Sequence, residues 1–423
     1  MILRNVLLLD SSMDAARACD MVLSGSRIES LLPPCTGEGE ADLDGKGTLA
    51  VLPGFVNAHG HAAMTLLRGL GEEAPLMEWL QKRIWPVEAR LGPEHVYWGT
   101  LQALVEMASK GITCFADMYF FMDQAAEAAR QAGMRCALSR GLVGTDEKKL
   151  AEGVDLVKGF HDPGGLIRVQ LGPHAIYTVP PGAFLEISQT ARALNVGIQT
   201  HWLETEWEAG YIREELKKDP IDLIGEVGLR DVPFAVLAHG VWFPEDRAGE
   251  IAGSNLAVCH NPNSNLKLGS GIAPVPAFLA NGVRVSLGTD GAASNNRLDI
   301  WDEMRTCSLV HKGIRRDPCS VRASEVLRMA TLDGARALGF EDVGLLRPGW
   351  QADLVVVDLD RPHYLGVTPD NLCSSLVYSG SSSDVVGTMV GGKWIYRDGQ
   401  VLTVDERLVL ERAGDCRKEL LRG

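Results

Sequence analysis

The chain has 423 residues, 46% hydrophobic and 23% charged, with a formal net charge of −14, a composition that excludes disorder and suits a large barrel with a smaller attached domain. The excess of acid repels polyanions and no Lys/Arg-rich tract offers a local exception, so nucleic acid is excluded as a partner. No apolar run reaches the roughly 18 residues of a membrane span, and the nine cysteines contain no Cys-x-x-Cys pair, which reads as reduced thiols in a cytoplasmic protein.

In chain order, the apolar stretch from Met1 to Leu9 is followed by no small-residue cleavage site and reads as a first strand. From about residue 54, β-type runs alternate with Ala/Leu/Glu-rich helical stretches such as 91–110, 122–133 and 183–194. Eight strands can be counted, at 54–61, 112–119, 134–141, 167–174, 196–201, 234–239, 256–260 and 283–290. That alternation predicts an α/β fold, a (β/α)8 barrel of TIM type. Residues 1–55 and 345–423 read as short strands and turns, clearest at 352–358 and 392–396, and the two ends are expected to pair into one small β-sandwich around a barrel at 56–344.

In such barrels the chemistry stands at the C-terminal ends of the strands. Strand 1 ends in His59-Gly60-His61, strand 5 in His201, strand 6 in His239 and strand 8 in Asp290. The two imidazoles of His59 and His61, two residues apart, are expected on one side of a strand. Any one of these histidines alone reads best as a packed polar residue, but their joint placement on strands 1, 5 and 6, with an aspartate on strand 8, points to a metal site. Nitrogen ligands suit a divalent transition metal, usually zinc. The histidines at 95, 161, 311 and 363 lie in helical or loop segments and are expected to be solvated. Cys114, Cys136 and Cys259 sit in apolar runs and read as core.

These motifs resemble the amidohydrolase superfamily in its cytosine-deaminase-like branch, and most of all the methylthioadenosine/S-adenosylhomocysteine deaminase family. The resemblance is carried by Pro53-Gly54-Phe55-Val56-Asn57-Ala58-His59-Gly60-His61, Met64-Thr65-Leu66-Leu67-Arg68-Gly69, His201-Trp202-Leu203-Glu204-Thr205-Glu206, the stretch from His260-Asn261-Pro262 to Gly269, and that from Gly288-Thr289-Asp290 to Asn296. Two-metal members of the superfamily carry a bridging lysine at the end of strand 4. Here that strand reads Val169-Gln170-Leu171-Gly172-Pro173-His174, so the resemblance implies one divalent metal, held by His59, His61, His201 and Asp290. It implies Glu204 as general acid/base, His239 as the group orienting the attacking water, and Asp290 as a second proton acceptor. The other zinc deaminase lineage carries Pro-Cys-x-x-Cys, absent here.

The same resemblance assigns substrate contacts. Trp79 would pack near the sugar, Glu88 would accept from the ribose hydroxyls, and Arg140, His174 and Glu204 would contact the nucleoside. Where relatives that take S-adenosylhomocysteine carry an arginine, this chain has Lys148-Lys149; Lys149 keeps the charge without the bidentate fork. The implied reaction is hydrolytic deamination of adenosine-type nucleosides, by a chain free to form a homo-oligomer. The alternatives are a deaminase of a free base such as guanine or cytosine, a triazine-type hydrolase, or, from another class, a non-catalytic scaffold.

Overall fold

The computed structural model describes residues 1–9, 13 and 15–422. Five strands precede the barrel: β1 (Ile2–Leu9), β2 (Ala16–Ser24), β3 (Arg27–Leu32), β4 (Leu43–Asp44) and β5 (Leu49–Pro53). The barrel strands are β6 (Phe55–Asn57), β7 (Ile112–Tyr119), β8 (Arg135–Leu142), β9 (Ile167–Pro173), β10 (Ile198–Trp202), β11 (Ala235–His239), β12 (Leu256–His260) and β13 (Arg284–Leu287). Four more follow: β14 (Leu354–Asp358), β15 (Val385–Val390), β16 (Lys393–Arg397) and β17 (Gln400–Val401).

Strands β6 to β13 form one all-parallel sheet in sequence order. Helices cover its outer face, so its strands are buried on both sides and read as near-continuous apolar runs; every residue of β7, β10, β11 and β12 is buried. The first and last strands meet through a seam of hydrogen bonds. The Ala58 amide donates to the Leu287 carbonyl (2.9 Å) and the Asp290 amide to the His59 carbonyl (3.0 Å), while the Asn57 side chain receives the Thr289 amide (2.9 Å) and donates to the Thr289 hydroxyl (2.8 Å). This seam sets His59 beside Asp290, residues 231 positions apart by their numbers.

Both chain ends share a second, mixed sheet of nine strands in the order β17-β16-β15-β14-β5-β1-β2-β3, with β4 on β1. One face has its own core of Leu3, Val6, Leu8, Met21, Val51, Leu354, Val356 and Met389. Strand β5 passes into β6 through Gly54, where an added Cβ would lie 2.2 Å from the Thr113 side chain; only glycine lets the chain cross here. The buried Arg135 guanidinium at the start of β8 grips Asp353 with two bonds of 2.7 and 3.0 Å, and Asp353 also receives the Gly391 amide (2.8 Å). Sheet and barrel are thereby locked together.

Three expectations need correction. The C-terminal part holds more than strands and turns: helices run over Leu372–Tyr378 and Glu406–Arg422. The second buries only Val409, Ala413, Cys416 and Leu420, a stripe one residue wide that is easily missed in so polar a segment. It lies against the helix Pro93–Ser109. Strands 1 and 8 are also shorter than the apolar pattern suggests, so His59, His61 and Asp290 stand on the turns that follow them. The alternation argument for the His pair fails in detail, since both lie past Asn57, the last residue of β6. Finally, His95 and His311 are buried, and the His95 Nδ1 accepts the Gly92 amide (3.0 Å). No helix among the described residues is long and apolar enough to cross a membrane.

Candidate metal centre and active site

The C-terminal ends of the barrel strands open into a cavity of about 970 Å³. His61, Trp79, Glu88, Arg140, Lys149, His174, His201, Glu204, His239 and Asp290 all line it. His59 lies beneath its floor, fully buried. Lys148 is not among the lining residues, and the Lys149 ammonium donates to the Val143 carbonyl (3.3 Å) at the rim.

Three imidazoles have one nitrogen fixed from behind. His59 Nδ1 meets Gln199 Oε1 at 3.2 Å, and the Gln199 amide nitrogen donates to the Ala58 carbonyl (3.3 Å), which sets the oxygen toward the ring. His61 Nδ1 donates to the Met118 carbonyl (2.6 Å), and His201 Nδ1 to the His174 carbonyl (2.7 Å). With Nδ1 the donor, each neutral ring carries its lone pair on Nε2. His61 Nε2 faces His201 Nε2 at 3.4 Å, Asp290 Oδ1 lies 3.3 Å from His61 Nε2 and 3.7 Å from His59 Nε2, and His59 Nε2 is buried without a hydrogen-bond partner.

Lone pairs in that arrangement repel unless a cation stands among them. A proton on His61 is one solution: burial opposes it, but the Asp290 carboxylate outweighs burial and raises the pKa to about 9. A divalent ion satisfies the whole set, because tetrahedral ligation with metal–nitrogen bonds of about 2.05 Å separates ligand nitrogens by ~3.3 Å. Burial holds His59 down to about 3 and His201 well below its usual range, which keeps both neutral as ligation requires. The residues present therefore fit a metal.

Asp290 is fixed with its backbone in the left-handed region (φ 60°). Its Oδ1 accepts the Gly291 amide (2.7 Å), and its Oδ2 accepts the hydroxyls of Ser264 (2.6 Å) and Ser294 (3.0 Å). Although burial raises its pKa, the His61 hydrogen bond and the surrounding imidazoles outweigh this and hold it well below the carboxylate range. His239, also left-handed (φ 76°), has Nδ1 within reach of two amide nitrogens, Asn265 at 2.8 Å and Asn261 at 3.3 Å. With Nδ1 accepting, its proton sits on Nε2, 3.8 Å from Glu204 Oε2. Strained φ values at both positions mark a site held in place by its surroundings.

Glu204 follows Leu203, another left-handed residue (φ 55°). The turn is capped by Glu208, whose carboxylate accepts the amides of Leu203 (3.0 Å) and Glu204 (2.9 Å). Burial, then the charges of Asp290 and Glu208, push the Glu204 pKa well above its ordinary value, the direction that suits a carboxyl to proton transfer.

Glu88, another cavity-lining residue, accepts a 2.6 Å hydrogen bond from the Tyr119 hydroxyl. Burial raises its pKa, and the hydroxyl pulls it back. Trp79 is 4% exposed and donates to the Leu70 carbonyl (3.0 Å). The Arg140 guanidinium donates to Glu152 (2.8 Å) and lies over Phe120, and the His174 Nδ1 meets the Thr178 hydroxyl at 2.9 Å. Tyr119, Gln199, Asn261, Ser264, Asn265, Ser294 and Glu208 complete the site beyond the residues read from sequence. Asn261, Ser264 and Asn265 stood inside the motif after His260, and Gln199 stood two before His201, so both carried a detectable signal.

Residues 50–395 match the model of the amidohydrolase family. The chain belongs to that family. Among curated amidohydrolases, a 5-methylthioadenosine/S-adenosylhomocysteine deaminase of Dictyoglomus thermophilum is 44% identical over 90% of this chain and 89% of its own. One from Moorella thermoacetica is 45% identical over 85% and 84%. Among solved structures, an adenosine deaminase from Xanthomonas campestris with bound zinc superposes with a TM-score of 0.94 at 31% identity, over 100% of this chain and 98% of that one. Family membership and the donor set together assign a divalent metal to this amidohydrolase centre.

Proposed function

We propose that this amidohydrolase is a zinc-dependent hydrolytic deaminase of 5′-substituted adenosines, releasing ammonia and the corresponding inosine. The observation that carries the reading is the buried Glu204 carboxyl, 3.8 Å from His239 Nε2, in a cavity that the Glu88 carboxyl also lines. The relatives named for this activity match most of the chain, and 970 Å³ lies at the upper end of the roughly 300–1,000 Å³ of ligand sites, more than a bare base fills.

His59, His61, His201 and Asp290 hold the ion, which when bound acidifies a water and so supplies the nucleophile at neutral pH. Glu204 donates its proton to a ring nitrogen of the purine as water adds to the amino-bearing carbon, and regains one from that water. His239, with its proton on Nε2, orients the attack. Asp290 accepts the remaining water proton and passes it to the departing amine, so that one water is consumed and ammonia leaves. Glu88 accepts from the two ribose hydroxyls, Trp79 packs on the sugar side, and His174 and Arg140 border the nucleoside. Lys149, at the rim, faces the 5′ substituent.

The test is loss of adenine absorbance on methylthioadenosine, S-adenosylhomocysteine, 5′-deoxyadenosine and adenosine, with guanine and cytosine as controls. Turnover of the nucleosides alone supports the assignment; turnover of a base alone overturns it.

A further inference from the structure

A second group of metal-type ligands lies outside the cavity. His260, the last residue of β12, meets Cys307 and His311 from the helix Ile300–Arg315, with one donor atom of each within 4.8 Å of the others. The donor atoms of His59, His61 and His201 lie within the same limit of one another. All three are buried, at 1%, 0% and 3% exposure. Cys307 and His311 stand four residues apart and so share one face of the helix, and the two rings lie 5.6 Å apart between centroids.

Three imidazole nitrogens here have no partner: both of His260 and the Nε2 of His311. A buried, unpaired polar atom loses about 1–3 kcal/mol of solvation without return, and a neutral imidazole always carries one N–H and one lone pair. Burial keeps both rings neutral, the His311 pKa falling to about 4, which is the state a metal binds. None of the three lines the cavity, and the proposed deamination uses none of them.

We propose that His260, Cys307 and His311 form a second metal site, for a zinc-class ion held by two imidazoles and one thiolate. Tetrahedral ligation with bonds of about 2.05 Å to nitrogen and ~2.3 Å to sulfur needs donor separations of ~3.3–3.6 Å, a closure of at most about 1.5 Å from separations that lie within 4.8 Å. Binding releases the Cys307 proton to solvent. The thiolate offsets one of the ion's two charges; burial, then the charges of Glu303 and Glu325, push the Cys307 pKa up, so a cation beside the sulfur is what allows it to ionise. The ion would fasten the helix to the end of β12, directly before Asn261, whose amide reaches His239. It would be taken up during folding, since its ligands are closed to solvent.

The experiment is to express the full chain in zinc-supplemented and in cobalt-supplemented medium and count metal per chain. Two equivalents are expected in the parent protein and one in Cys307→Ser and in His311→Gln. The cobalt form should show a near-ultraviolet sulfur-to-cobalt charge-transfer band that is lost in Cys307→Ser and retained in His201→Ala, which empties the catalytic centre instead. A single equivalent in the parent, two equivalents that survive both helix substitutions, or a cobalt protein without the band would each overturn the site. The band is read on the parent protein, so the proposal stands or falls even where a variant fails to fold. It is independent of which substrate the cavity takes.

Discussion

Replacing Tyr119 by phenylalanine isolates the contribution of Glu88 without touching the metal centre. The hydroxyl donates to Glu88 at 2.6 Å, a short bond to a carboxylate of the kind worth about 1.5–3 kcal/mol. It acts on the carboxyl in one direction: burial lifts the Glu88 pKa and the Tyr119 bond lowers it. Removing the bond therefore raises that pKa further. Since only the ionised carboxylate accepts from two ribose hydroxyls, nucleoside binding in the variant should fail at a higher pH than in the parent, and the acid limb of kcat/KM should move toward neutrality. At pH 8, where both carboxyls ionise more fully, the remaining loss is of orientation. At about 1.4 kcal/mol per factor of ten, the lower end of the range predicts a roughly tenfold rise in KM. Little change in kcat is expected, because the group sits away from the reacting carbon. Initial rates on adenosine across pH 5 to 9, with metal content measured alongside, give the answer. An unchanged KM together with an unchanged acid limb would refute the role of Glu88 as the ribose acceptor.

Four further outcomes are expected. Glu204→Gln should lose about 10²–10⁴-fold in kcat while retaining its metal; near-normal turnover by a metal-loaded variant would remove Glu204 from the chemistry. Asn265→Ala takes from His239 Nδ1 its 2.8 Å partner and frees the ring's tautomer, which should reduce kcat about tenfold with little effect on KM, as separated by steady-state kinetics. Arg135→Met strands the buried Asp353 and should cost about 3–5 kcal/mol of stability in urea unfolding, more than an exposed pair such as that of Lys158 and Asp155 could contribute. Gly54→Ala forces a methyl into the Thr113 side chain and should destabilise by at least the roughly 1–3 kcal/mol of an overpacked core; an unchanged unfolding midpoint would show that the crossing between sheet and barrel yields.

The sequence by itself determined the barrel. A strand covered on both faces carries apolar side chains at most positions, so the eight left predominantly apolar runs readable without a partner. It also determined which residues could reach the cavity, because the strand ends fall where those runs stop, and His201, His239, Glu204 and Asp290 stand at or just past the stops. The family motifs added Trp79, Glu88, Arg140, Lys149 and His174, and each of these lines the cavity.

The tertiary structure decided what those residues face. Periodicity placed His59 and His61 on one side of a strand, whereas the chain leaves the sheet after Asn57 and aims them from a turn, fixed by the Met118 carbonyl and Gln199 on other strands. The Tyr119–Glu88 bond, the seam joining Asn57 to Thr289, and the meeting of His260 with Cys307 and His311 join residues 31 to 232 positions apart. No local pattern encodes such a pairing. The polar atoms of a side chain are matched only when the barrel closes and water is driven out, and at that point burial and neighbouring charge also drive the pKa values of two carboxyls apart, that of Glu204 up and that of Asp290 down.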